Sequence, residues 1–143
     1  MKKFGILLLV LLLLCTGCAS KTTAPLLQDA DAVRVNHAVM IPDYYGQPQE
    51  TYTGKICTGA LDVAAIVKAL QAAKMGEETD TIYGGETALI LLYCDDMEIA
   101  WLRMSLDGKW VCIDNAYYPC SNVPNLETLY NSLSAKETDI VIA

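Results

Sequence analysis

The chain has a single histidine in 143 residues, no cluster of Lys or Arg, and no apolar run near the ~20 residues that cross a bilayer as a helix. Each shortage removes a class of function. With only His37, a metal centre built on several imidazoles has no material to work with, while a triad on the one imidazole stays possible in principle. Basic residues number 10 against 17 acidic, and leaving out Lys2 and Lys3 gives 8 against 17, a balance of −9. Such a body repels phosphate backbones and anionic headgroups, which excludes nucleic acid as a partner. Past Cys18 there is no Cys-x-x-Cys, so a thioredoxin-like redox role has no motif. No internal repeat appears.

What is present is apolar content spread along the chain, 53% of residues against 19% charged, in a length that suits one domain with a real core. Ahead of it, Lys2-Lys3 precede an apolar run from Phe4 to Leu14, the size of a secretory signal core.

Thr16-Gly17-Cys18, with Leu14 before and Ala19-Ser20 after, resembles the lipobox of bacterial lipoprotein precursors. That pattern needs a thiol to take diacylglycerol in thioether linkage, and a small residue before it so that the peptidase reaches the bond. Gly17 fits the second need, and Cys15 stands where the pattern usually has leucine. The resemblance implies a signal peptide over 1–17, lipidation at Cys18 and attachment to the cell membrane on its extracytoplasmic side. Two or more acyl chains on one residue anchor stably. Residues 18–32 are then the acylated N-terminus and a flexible tether, and 33–143 a small domain.

In that domain, 33–41 and 51–57 are rich in β-branched and aromatic residues, with a Pro, Asp and Gly loop between them, and predict two strands. Thr58 is placed to cap a helix over about 59–74, with Val63, Ile66, Val67, Leu70 and Ala73 as its buried stripe and Gly76 as its stop. Residues 87–94, "TALILLYC", are apolar on both alternating sets, as in a strand covered on both faces. Asp107-Gly108 between two alternating runs signals a hairpin of 98–105 with 109–114. Its register pairs Met104 with Val111 and Leu102 with Ile113 on one face, and puts Trp101, Arg103, Trp110 and Cys112 on the other. A second helix is predicted over 125–134, and 138–143 is a candidate edge strand. The expected fold is α+β: an antiparallel sheet of about five strands, in the order strand-strand-helix-three strands-helix, with two helices packed against it.

The run from "IVKALQAAK" through the meander to "YYPCSNVPNLETLYNSL" resembles small uncharacterised extracellular lipoprotein domains of Gram-positive bacteria. The resemblance spans about 33–135 and implies an architecture and a location. It carries no catalytic residues.

Four groups of residues were weighed for chemistry. His37 lies in a predicted strand with no nucleophile motif beside it, so a plain strand residue is the favoured reading. Asp95-Asp96-Met97-Glu98 lacks the spacing of a calcium loop and reads as a turn. Cys57, Cys94, Cys112 and Cys120 permit two disulfides, with Cys112–Cys120 the first pair to test, and equally well serve as small buried hydrophobes. Trp101, Arg103 and Trp110 form a candidate binding face for a protein, peptide or glycan if uncovered, and part of the core if the loop 42–50 or the N-terminal segment lies over them; cover is the favoured reading. No catalytic set, metal site or cofactor motif emerges. The expectation is a membrane-anchored extracytoplasmic lipoprotein acting as a binding or accessory module of the envelope, with an envelope enzyme or inhibitor, or a purely structural domain, as alternatives.

Overall fold

The computed structural model describes residues 23–47 and 50–142. The signal segment and the lipidation residue Cys18 lie outside the described residues. Nine strands run in chain order: β1 (Ala24–Pro25), β2 (His37–Ile41), β3 (Thr51–Cys57), β4 (Lys74–Met75), β5 (Thr87–Cys94), β6 (Met97–Ser105), β7 (Trp110–Ile113), β8 (Ala116–Ser121) and β9 (Glu137–Val141). Three helices accompany them: α1 (Asp29–Ala32), α2 (Ala60–Ala72) and α3 (Leu126–Ser132).

The strands form one antiparallel sheet in the order β1-β4-β8-β7-β6-β5-β2-β3-β9. This corrects the expected sheet of about five strands with two helices: among the described residues the fold is mostly sheet, with nine strands and three short helices. The additional strands have identifiable causes. Asp114 and Asn115 both take positive φ, 50° and 63°, and turn β7 straight back into β8, pairing Ile113 with Ala116. Tyr117-Tyr118-Pro119-Cys120 is therefore strand, between the expected hairpin and the expected second helix. Pro119 is tolerated because the ladder is carried by its neighbour: the Cys120 N–H donates to the Lys109 carbonyl at 2.7 Å.

Residues 24–32, expected as part of a tether, belong to the domain. Leu26 and Leu27 are buried in the core, and the Leu26 N–H donates to the Ala73 carbonyl at 3.2 Å. Two adjacent leucines gain more from burial than from exposure on a linker, about 1.5–3 kcal/mol each. α2 starts from Gly59 without a side-chain cap from Thr58, and it ends at Ala72 because Ala73 turns extended and feeds β4.

The sheet is apolar on both faces along its centre. Ala88, Ile90 and Leu92 of β5 point to the helical side with Met40, Leu102, Met104 and Val111. Val63, Ile66 and Leu70 of α2 and Leu126, Tyr130 and Leu133 of α3 pack on that side. Leu89 and Leu91 point the other way, where Val39, Ile41, Tyr44 and Tyr52 cover them.

α3 is too short to hold itself as a helix, so side chains fix both ends. The Asn125 carboxamide oxygen accepts from the Thr128 N–H at 2.9 Å. At the other end, buried Lys55 of β3 donates to the carbonyls of Tyr130 (2.8 Å) and Leu133 (2.9 Å), with its ammonium 4.6 Å from the Tyr130 ring centre. Asp62 of α2 accepts from the Ser134 N–H (2.8 Å), the Ser134 hydroxyl (3.0 Å) and the Ala135 N–H (2.9 Å). Those hydrogen bonds, led by the Ser134 amide, outweigh burial and hold the Asp62 carboxyl below the usual carboxylate range.

Candidate functional site

Trp101, Arg103 and Trp110 do share one face, opposite the helices. Arg103 pairs with Cys112, and continuing that ladder sets Trp110 across from Ser105. The face is covered over both tryptophans and left open at the arginine. Over Trp101 lies the chain that leaves β2: the Tyr44 ring meets Trp101 edge-on at 5.8 Å and Tyr52 at 5.1 Å. Over Trp110 lies a segment that sequence reasoning did not place there. Tyr83 stacks on Trp110 at 5.6 Å and 12°, and Tyr117 tilts against both rings. Trp110 is accordingly buried, at 4% exposure.

Arg103 sits between the two aromatic groups, half-buried. Its Nε–H donates to the Thr87 hydroxyl at 3.3 Å, and among the described residues it forms no ion pair. Thr87, the first residue of β5, links three elements. Its hydroxyl donates to the Tyr44 carbonyl, while its own carbonyl accepts from the Tyr44 N–H at 2.9 Å. The sheet thus pins the loop and the guanidinium to one point.

Around that point opens a hollow of about 530 Å³, walled by Asp43, Tyr44, Tyr45, Gly85, Glu86 and Arg103, a size typical of small-ligand sites. Tyr45 is 67% exposed, with its ring 6.0 Å from Tyr52. Gly46 (φ 71°) and Gly85 (φ 106°) take positive φ; a Cβ on Gly46 would stand 3.8 Å from the Arg103 guanidinium, and one on Gly85 would point into open space. Burial pushes the Tyr44 phenol up, with Tyr52 adding to it and Arg103 opposing it. A second hollow of about 340 Å³ adjoins the first, shares Asp43 and Glu86 with it, and is completed by Leu106, Leu126, Glu127, Tyr130 and Asn131.

The other sequence candidates lie elsewhere. Cys112 and Cys120 are free thiols and cannot bridge: Cys112 is paired with Tyr117 on the arginine face, and Cys120 packs into the helical side of the sheet. Of the two readings weighed for these thiols, the structure has the free form, because strand alternation sends the two side chains to opposite faces. Cys57 and Cys94 are also free. Burial alone pushes the Cys120 thiol up to about 11 and is the main cause that raises Cys57. His37 starts β2, at the end remote from the hollow, with its ring stacked on Tyr93 at 5.0 Å. Asp95 forms a turn at φ 54° and accepts from the Asn36 carboxamide at 2.8 Å. Among the described residues no three His, Cys, Asp or Glu side chains gather as a metal site, and no helix is long and apolar enough to cross a membrane.

Sequence reasoning found Arg103 but missed Asp43, Tyr45, Glu86 and Thr87 as its partners. The Pro-Asp-Tyr-Tyr-Gly run signalled a turn and, within the loop 42–50, a candidate cover for the arginine face, but nothing in it pointed to Glu86 or Thr87. No protein-family model, curated protein or solved structure matches the chain.

Proposed function

We propose that this is a membrane-anchored extracytoplasmic lipoprotein, held by lipid on Cys18, that binds an envelope ligand in the hollow around Arg103. The anchoring half rests on the signal-like N-terminus and on Thr16-Gly17-Cys18. The binding half rests on one observation: a half-buried guanidinium held by a single neutral acceptor, with no carboxylate in ion-pair contact, lining an open hollow with Tyr44 and Tyr45. Partial burial costs a cation hydration, and here that cost is not offset by an ion pair within the described fold. A ligand oxygen on the free edge of the guanidinium supplies the missing acceptor.

No histidine or thiol lines either hollow, and the nearest titratable groups are carboxylates and phenols on the rim. The test has two arms. Cys18→Ser moves the protein from the membrane to the soluble fraction and abolishes incorporation of labelled palmitate. Arg103→Gln leaves the membrane association intact and removes saturable binding of soluble cell-wall digests. Membrane retention of the Cys18→Ser protein contradicts the anchor, and unchanged binding by Arg103→Gln contradicts the site.

A further inference from the structure

We infer that the ligand is an uncharged oligosaccharide, with one sugar ring on Tyr45 against Arg103 and the next unit in the adjoining hollow beside Asn131 and Glu127. The inference rests on the binding reading above and gives it a chemical class.

Charge is the first argument. Asp43 and Glu86 share the rim with Arg103, so an anion drawn to the guanidinium meets two carboxylates, and a cation drawn to the carboxylates meets the guanidinium. The −9 balance beyond residue 17 weighs further against polyanions. A hydroxyl group suits such a rim, since it accepts from the arginine through its lone pairs and donates to a carboxylate through its proton. Neighbouring hydroxyls on a sugar ring do both at once.

The aromatic wall is the second argument. Tyr45 presents a ring that is 67% exposed yet backed by Tyr52 at 6.0 Å, and so is oriented before any ligand arrives. The C–H face of a sugar is apolar and flat enough to lie on such a ring, which lowers the cost of desolvating it.

A peptide is disfavoured by the state of the backbone. Extended peptides are captured through unpaired main-chain groups at a sheet edge. Here the Tyr44 N–H and C=O are both taken by Thr87, and the hollow lies at the ends of β2 and β5, which are central strands. Recognition in the hollow falls to side chains.

The second hollow sets the length. It shares Asp43 and Glu86 with the first across the end of the sheet, and on the helical side adds Glu127 and Asn131 beside the apolar side chains of Leu106 and Leu126. One ring cannot reach both, so an oligosaccharide gains contacts that a monosaccharide lacks.

The experiment is an NMR and calorimetric titration of the full-length protein in detergent micelles with four probes: N-acetylglucosamine, triacetylchitotriose, trigalacturonate and tetra-alanine. The expected result is saturable binding of triacetylchitotriose, about tenfold tighter than the monosaccharide, with amide shifts at both hollows. Tyr45→Ala, a surface substitution, weakens it about tenfold without moving the thermal midpoint, and Glu127→Gln weakens the trisaccharide but leaves the monosaccharide unchanged. Shifts at Arg103 with trigalacturonate alone overturn the uncharged character of the ligand, and shifts with tetra-alanine alone overturn the sugar class, each while leaving the binding site standing. Equal affinity for one ring and three overturns the two-hollow arrangement. No perturbation of either hollow by any probe at millimolar concentration overturns both the class and the site.

Discussion

Replacing Asp62 by Asn removes one carboxylate oxygen from a junction that holds three donors, and the consequence can be worked through. Oδ1 accepts from the Ser134 N–H, and Oδ2 accepts from the Ser134 hydroxyl and the Ala135 N–H. An asparagine keeps one acceptor and turns an NH2 toward a backbone N–H that has no other partner. The less costly orientation leaves the oxygen at the Oδ2 position and the Ser134 N–H unsatisfied. Losing one charge-assisted bond in a buried place, with an orphaned amide left behind, costs about 2–3 kcal/mol. For a fold of this size that lowers the thermal midpoint by about 6–15 °C. The pH dependence follows from the depressed folded-state pKa: near pH 4 the unfolded chain binds more protons at this residue than the folded one. The stabilisation is thus complete above the ordinary carboxylate pKa of about 3.9 and disappears as pH falls through the lower folded-state value. Urea unfolding of wild type and Asp62→Asn from pH 7 down to pH 3 measures it. The two stability curves converge toward acid. A difference under about 0.5 kcal/mol at pH 7, or one that persists unchanged to pH 3, refutes this role of Asp62.

Four further outcomes follow from named contacts. Thr87→Val deletes the donor to the Tyr44 carbonyl and the acceptor for Arg103 Nε, and is expected to cost about 1–3 kcal/mol by chemical denaturation, with Thr87→Ser restoring most of it. Gly54→Ala forces a methyl to within 2.7 Å of the Met40 carbonyl oxygen and 2.9 Å of Ile41 and Ile140, so its midpoint in urea falls by about 1–3 kcal/mol of stability; an unchanged midpoint contradicts the packing of β3 between β2 and β9. At pH 8, iodoacetamide is expected to alkylate Cys120 roughly a hundredfold more slowly in the folded protein than in urea, since the thiol titrates near 11. The unreduced protein carries no mass deficit at Cys57, Cys94, Cys112 and Cys120, and a deficit of about two mass units there contradicts the free thiols.

How much of this was readable depended on the range of the signal. β5 announced itself because both of its alternating sets are apolar, and the structure buries both, Ile90 on one face and Leu89 on the other. The Asp107-Gly108 turn fixed the parity of β6 and β7, which is why Arg103 fell on the same face as both tryptophans. β8 was lost because Pro119 argues against a strand, and the bond that carries the ladder past it, from the Cys120 N–H to the Lys109 carbonyl, is visible only once β7 and β8 are paired. β1 and β4 are two residues each and have no period to detect. The hollow was unreadable for another reason: Thr87 and Tyr44 are 43 residues apart, and no local pattern says that a strand's first hydroxyl will pin a distant loop. Sequence supplied the cation, and only tertiary structure supplied its surroundings.

The account stands on the open guanidinium of Arg103 being where a ligand binds. Calorimetric titration of the full-length protein in detergent micelles with triacetylchitotriose, repeated with Arg103→Gln, tests this most directly. The account predicts saturable binding that Arg103→Gln weakens about tenfold or more while the thermal midpoint stays within a few degrees. Binding of equal strength in the two proteins, or none in either, contradicts it.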